Sequence, residues 1–383
     1  MRTLLKTSFA VLFLTLVASV ATAAPPVSVD AGRIGQDLDK KTMTMPSGSP
    51  AQISEVQDVQ APPGSDKITL VLKRVDVVGA NALSSDKLAP AYADLIGKKI
   101  TLTQVYGIAN AITRIYRDNG YILSRAIVPK QEIGGGVVKI QIVEGFVSGY
   151  AIQGDTRGVR DRIDAYAKRM MASGALTKQS LERYLLLMND LPGVKVRAVL
   201  APSKATPGGA DMILVAEQTP YQVQTVLDNF GNHYLGEYRG TVTGQTNSLF
   251  GWGEQMTGSL LWAPDHDELK YFSTGYKQAV GDEGTKLGAN VSYTMTDPTL
   301  PDDLGGNLEP EGSAWMFGLV ADHPFIRSRA FNLNGHAGFD ITRNSTNYNP
   351  RLQSIETTDK QRVVRLGGDM NFLDGFAGYN AIN

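Results

Sequence analysis

Two periodicities divide the chain at Tyr221. Before it, apolar residues return every three or four positions, the spacing of helices that bury one face. After it they alternate with small or polar residues, the spacing of strands with two unlike faces. Within 221–239, Tyr221, Val223, Thr225 and Leu227 share one face, while Gln222, Gln224 and Asp228 share the other. The upstream pattern predicts α+β modules and the downstream pattern an antiparallel sheet.

The upstream half is an internal repeat. Arg125-Ala126-Ile127-Val128-Pro129 returns as Arg197-Ala198-Val199-Leu200-Ala201-Pro202, and Pro129 and Pro202, like Glu144 and Glu217, stand 73 residues apart. Each unit reads strand, helix, helix, strand, strand. In the first, the expected elements are a strand over 68–78, a helix over 85–96 and a second helix over 102–118. The second helix is opened by a capping box of Thr101 and Gln104 and ended by Asn119-Gly120. Its apolar face is Val105, Ile108, Ala109, Ile112, Ile115 and Tyr116. In the second unit a strand over 147–153 precedes two helices. One carries the face Val159, Ile163, Tyr166, Ala167 and Met170, the other the face Leu181, Tyr184, Leu185 and Met188, and Leu191-Pro192-Gly193 breaks the latter.

Downstream, eight strands are expected, over 222–228, 237–245, 255–263, 270–278, 286–294, 314–322, 331–341 and 363–373. The alternation is clearest in the seventh, where Phe331, Leu333, Ala337, Phe339 and Ile341 oppose Asn332, Asn334, His336 and Asp340. In the eighth, Val364, Leu366, Met370 and Phe372 oppose Arg365, Asp369 and Asn371. A soluble sandwich and a membrane barrel both alternate in this way. Aromatic residues near strand ends (Trp252, Trp262, Tyr271, Trp315) and frequent glycines favour the barrel.

The amino terminus changes the compartment. Arg2 and Lys6, an apolar core over 9–20 and Ala21-Thr22-Ala23 form a secretory signal peptide over 1–23; an anchoring helix is the alternative. Residues 24–66 read as a linker interrupted by one short amphipathic piece over 30–40, with Asp30 as N-cap and Ala31, Ile34 and Leu38 on one face. From the residues alone that piece reads first as a frayed helix in a disordered tether.

Composition then narrows the chemistry. A formal net charge of −1 offers nucleic acid no electrostatic pull. The absence of cysteine excludes disulfides and thiolate chemistry, and four histidines, His233, His266, His323 and His336, lie far apart without ligand spacing. Gly134-Gly135-Gly136 lacks the Lys-Ser/Thr of a phosphate loop. Asp302, Asp303, Glu309 and Glu311 form an acidic loop, a solvated surface or a weak calcium site. The series Arg157, Arg160, Arg162, Lys168, Arg169 reads as the wet side of a helix or as a contact for headgroups or an acidic partner. No catalytic constellation, cofactor or nucleotide site emerges.

Several runs resemble one family. Gly120-Tyr121-Ile122-Leu123-Ser124-Arg125-Ala126 with Gln141-Ile142-Val143-Glu144-Gly145, and the run 181–193 in the second unit, resemble polypeptide-transport-associated (POTRA) domains. The turn Asp228-Asn229-Phe230-Gly231 followed by Gly236-Glu237-Tyr238-Arg239, and the run 323–333 with Pro324, Arg327 and Arg329, resemble barrel motifs of two-partner secretion transporters. These form the haemolysin-secretion branch of the Omp85 superfamily.

The resemblance implies a signal peptide over 1–23, a plug-like helix and linker over 24–66, POTRA modules over 67–146 and 147–219, and a partial outer-membrane β-barrel over 220–383. It implies an outer-membrane location with periplasmic modules, and a secreted partner, a haemolysin or adhesin, captured unfolded and passed through the barrel. The binding edge it implies is 123–128 (Leu123, Ser124, Arg125, Ala126, Ile127, Val128) with Tyr121, beside a groove carrying Ile112 and Tyr116; Ile112 equally suits its own module's core. Family barrels have about sixteen strands and a Val-Arg-Gly-Tyr loop. Eight strands and no such loop are read here, so a truncated transporter is expected. An Omp85 assembly factor and a periplasmic binding scaffold remain alternatives.

Overall fold

The computed structural model describes residues 30–31, 33–34, 52–53, 58–156, 158–231, 233–264, 268–299, 310–348, 355–374 and 378–382. The expected signal peptide, Leu38 and Lys40 of the amphipathic piece, Arg157, and Asp302, Asp303 and Glu309 of the acidic loop lie outside them.

Module 1 is a three-stranded sheet in the order Arg74–Val78, Val137–Val143, Arg125–Ile127, covered by the helix Leu102–Asp118. The central strand runs parallel to the first and antiparallel to the last. The capping box forms: Gln104 donates its backbone N–H to Thr101 Oγ1 at 3.3 Å, and Thr101 donates its own to Gln104 Oε1 at 2.8 Å. Val105, Ile108, Ala109, Ile112 and Tyr116 are buried along one stripe, against Val138, Ile140 and Ile142 of the sheet.

Two expected elements are revised here. The helix over 85–96 is a single turn, Ser85–Leu88, followed by 3-10 turns at Ala89–Ala91 and Ala93–Leu95. Pro90 supplies the reason, since it has no N–H to continue the ladder and its ring crowds the carbonyl one turn back. The strand over 68–78 splits into Thr69–Val71, paired with Lys99–Thr101, and Arg74–Val78. Between them Leu72 turns fully into the core.

Module 2 repeats the order of elements. Its helices Arg160–Ala172 and Lys178–Asn189 lie on a sheet ordered Gln52–Ile53, Val194–Pro202, Gly209–Gln218, Phe146–Gly154. Ile163, Tyr166, Met170, Leu181, Leu187 and Met188 pack against Val196, Ala198, Leu214 and Ala216 in one core. The outermost strand, Gln52–Ile53, comes from the linker.

From Tyr221 on, the described residues form one antiparallel meander of nine strands. Eight are long: Tyr221–Asp228, Arg239–Asn247, Glu254–Ala263, Leu269–Val280, Thr285–Thr296, Pro310–Arg327, Phe331–Tyr348 and Ile355–Asp374; the ninth, Gly378–Ile382, has five residues. The sixth, seventh and eighth run 18, 18 and 20 residues, well beyond the expected spans. The added lengths of the seventh and eighth, 342–347 and 356–361, are polar and pair with each other: Ser345 faces Thr358, with hydroxyls 3.0 Å apart, and Thr346 faces Thr357. Apolar alternation stops there, but the hydrogen-bond ladder does not. The sheet is open, with Tyr221–Asp228 and Gly378–Ile382 at its opposite edges.

Register assigns every side chain to a face. Val242, Leu260 and Phe272 stand in one cross-strand row, and Val291, Phe317 and Ile341 in another on the same face. This outer face leaves Leu260 57%, Trp262 53%, Trp315 53% and Leu366 81% exposed. The opposite, inner face carries Thr243 against Ser259 at 3.0 Å, Lys277 against Asp322 at 2.5 Å, and an Arg365–Asp340 ion pair. Asp30, Ala31 and Ile34 rest on it. Asp30 accepts from Asn344 Nδ2 at 2.9 Å and from the Arg33 backbone N–H at 2.9 Å, as an N-cap does. Ile34 packs on Leu235, Leu261, Leu269 and Tyr271. Among the described residues no helix is long and apolar enough to cross a membrane.

Candidate functional site

In module 1 the expected edge strand is shortened to Arg125–Ile127, because Tyr121–Ser124 closes a turn: the Ser124 N–H donates to the Tyr121 carbonyl at 3.2 Å. Arg125 is exposed and Tyr121, Leu123, Ile127 and Val128 are half-buried, whereas Ser124 and Ala126 are buried. Ile112 and Tyr116 do not line an open groove; both are fully enclosed by their own core. Tyr116 donates its hydroxyl to Glu144 at 2.9 Å, and Glu144 also accepts the N–H groups of Asn81 (2.7 Å) and Ala82 (2.6 Å). Burial, reinforced by that bond to Glu144, raises the Tyr116 pKa. The outward N–H of Ala126 is also taken, by Thr113 Oγ1 at 3.0 Å. This edge therefore has little left to offer an incoming strand.

Module 2 has a longer edge, Val194–Pro202, whose alternate residues are buried and exposed. Asn189, in the last turn of its helix, brackets Val196: it donates to the Val196 carbonyl at 2.8 Å and accepts its N–H at 3.0 Å. Beyond that bracket, Val199 and Leu200 pair in parallel with Gln52 and Ile53.

The most densely connected region is the junction between module 2 and the short turns of the sheet. Here the runs 181–193 and 323–333 meet. Arg327 forms a two-pronged pair with Asp190, Nε and Nη2 each 2.7 Å from a carboxylate oxygen, and its Nη1 reaches Asn332 at 2.8 Å. Both charged side chains are largely withdrawn from solvent, at 16% and 23% exposure, where planar bidentate geometry is strongest. Lys286 donates to the Asp190 carbonyl at 2.8 Å.

Around this pair, Arg183 binds Glu283 (3.0 Å) and the Pro324 carbonyl (3.2 Å), and the Arg329 N–H donates to Glu182 at 2.5 Å. Arg162 donates to the carbonyls of Trp252 and Gly281, and Arg169 grips Asp282 at 2.6 Å. Of the basic series, then, Arg162 and Arg169 reach the sheet's turns, Arg169 while still about half exposed at 49%. The hydrogen bond from Arg169 holds the Asp282 carboxyl below its ordinary pKa, and burial with the neighbouring Glu283 charge raises that of Tyr184. Gly158 (φ +73°) marks the closest approach, since a Cβ there would lie 2.3 Å from the Ser248 carbonyl oxygen.

At the far end of the first hairpin, Arg239 binds Asp228 Oδ1 at 2.7 and 3.0 Å, with both side chains mostly buried. Asn229 follows Asp228 into the turn, where the Phe230 N–H donates to Asp228. A Cβ at Gly231 would sit 1.8 Å from the Gly236 carbonyl oxygen, so the turn closes only with glycine. These motif residues shape a hairpin. They do not join the junction with Pro324, Arg327 and Arg329.

Sequence reasoning missed Asp190, Asn189, Glu283 and Thr113 as functional contacts. Asp190 lay inside a recognised run, but its partner is 137 positions away and no local pattern couples them.

Residues 70–145 match the family model of the POTRA domain, ShlB-type. Over 357 residues, 90% of this chain and 61% of the relative, the sequence is 26% identical to the Heme/hemopexin transporter protein HuxB of Haemophilus influenzae. It is 22% identical to the Outer membrane transporter CdiB of Escherichia coli over 73% of this chain and 46% of that protein. The chain thus spans less than two thirds of the length of these relatives. Among solved structures, CdiB from Escherichia coli matches with a TM-score of 0.68 at 18% identity, covering 95% of this chain and 67% of that one. CdiB from Acinetobacter baumannii matches with a TM-score of 0.55 at 17% identity, covering 90% and 66%. The chain carries a ShlB-type POTRA domain and shares the CdiB fold of α+β modules followed by a large antiparallel sheet.

Proposed function

We propose that this chain, a relative of HuxB and CdiB, supplies the periplasmic modules and part of the membrane wall of an outer-membrane transporter in two-partner secretion. One observation carries the reading: a single sheet with an apolar, exposed outer face and a polar inner face, gripped at its short turns by a POTRA-like module. Apolar residues at 53–81% exposure across several strands suit lipid and would be an aggregation hazard in water. The polar inner face suits a wet path.

On this reading the modules take a large exoprotein in extended form from the periplasm, and residues 30–34 occupy the path at rest. Transport needs a closed wall, because unpaired backbone groups at a sheet edge in lipid cost several kcal/mol each. The free edges at Tyr221–Asp228 and Gly378–Ile382 are therefore paired by further strands in the working transporter.

The test is deletion of the coding sequence in its native host, followed by assay of a large exoprotein that the host releases. Retention of that exoprotein inside the cell, reversed by complementation, supports the proposal. Undiminished secretion overturns it.

A further inference from the structure

The two modules treat equivalent edges differently. In module 1 the outward N–H groups of Ser124 and Ala126 are consumed by Tyr121 and Thr113. In module 2 the Asn189 bracket consumes Val196 alone. Because backbone groups alternate in direction along a strand, Ala198 and Leu200 point the same way as Val196, away from the neighbouring strand Gly209–Gln218. There the linker lays Gln52–Ile53 alongside, Gln52 opposite Val199 and Ile53 opposite Leu200.

We infer that the module 2 edge at 198–200 accepts an extended polypeptide as an added strand, and that this chain's own Gln52–Ile53 is a displaceable cover competing for that edge. A two-residue pairing is short enough to exchange, yet it shields edge groups that would otherwise recruit strands indiscriminately. Pro202, which has no N–H, bounds the acceptor at one end and Asn189 bounds it at the other. Lys195, Arg197 and Val199 project from the exposed face of this strand. The fitting occupant is thus an unfolded segment with an apolar position flanked by acidic ones. That the natural occupant is a secreted partner rests on the reading above; the existence of the cover does not.

The experiment uses the full chain in detergent and a fluorescent peptide of residues 51–57, Ala-Gln-Ile-Ser-Glu-Val-Gln. A cover in place about nine-tenths of the time weakens apparent binding about tenfold. The Q52P/I53P chain, unable to donate the covering strand, is therefore expected to bind the peptide at least tenfold more tightly than the parent chain. Its amide at Leu200, which the register sets against the Gln52 carbonyl, is expected to exchange correspondingly faster. A peptide N-methylated at the position of Gln52, whose N–H faces the edge in this parallel register, should not bind, which identifies strand addition without any change to the protein's own fold. Equal affinity for both chains shows that nothing covers the edge, and overturns the inference. So does absence of binding to either chain, or binding indifferent to N-methylation. Loss of the secretion reading leaves these outcomes unchanged.

Discussion

Module 2 and the large sheet use the same two-residue alternation for opposite ends. In Val194–Pro202 the residues Val196, Ala198 and Leu200 turn inward and are nearly inaccessible under two helices. In Glu254–Ala263 the large residues Leu260 and Trp262 face outward and more than half of their surface is free, while Thr257 and Ser259 turn to the inner face. Alternation therefore encodes two faces without saying which one is dry. The deciding feature is what lies above each face: helices in the module, Asp30, Ala31, Ile34 and polar pairs on the inside of the sheet, and, among the described residues, no protein on its outside.

The contrast is tested most severely by trimming one apolar residue in each region. Ile163→Ala, fully buried in module 2, should cost about 2–5 kcal/mol, read as a lower urea midpoint for the module. Leu366→Ala, 81% exposed on the sheet, should stay within about 0.5 kcal/mol in detergent. Comparable losses at both sites would erase the distinction.

Next in size is a charge on the outer face. Leu260→Arg should destabilise the sheet by about 2–4 kcal/mol in a bilayer if its position is near mid-membrane. The same change in a sheet surrounded by water should have little effect, so the readout is the unfolding of the variant against that of the parent chain in vesicles.

The junction that joins the two regions is expected to yield a smaller effect. Arg327→Ala strands the Asp190 carboxylate in a largely enclosed site and should weaken docking by about 1–3 kcal/mol, discounted for partial exposure. Arg327→Lys should recover only part of that, since an ammonium cannot reproduce the two parallel bonds. Faster amide exchange in 181–193 and 323–333, with the module core unchanged, is the readout.

The smallest effect is titration of Asp282. Its folded-state pKa is depressed by the hydrogen bond from Arg169. Its stabilisation is thus present above the ordinary carboxylate range and lost as pH falls through the lowered value. Exchange in the turn 281–284 should accelerate modestly on acidification, and Asp282→Asn should remove that step.

Much of this architecture was legible in advance because proline and glycine punctuate it. The repeat was visible through Pro129 and Pro202, and the strands through apolar positions that face away from the inside. Strand ends were not, because 342–347 and 356–361 are polar on both faces and continue only through pairing. The helix over 85–96 was overread because its spacing outweighed Pro90. Ile112 and Tyr116 were placed beside a groove because helical periodicity marks a covered face without revealing whether its own sheet or a partner covers it. The pairing of Asp190 with Arg327, and the two residues Gln52–Ile53, carry no local pattern at all.

Whether lipid lies against the outer face is measurable through the chain's own tryptophans. The chain has three tryptophans, and in a Trp252→Phe variant only Trp262 and Trp315, both on that face, report. In vesicles of lipid brominated along the acyl chains their fluorescence should be strongly quenched, and aqueous iodide should have little effect. Quenching by iodide with no response to brominated lipid would contradict the account.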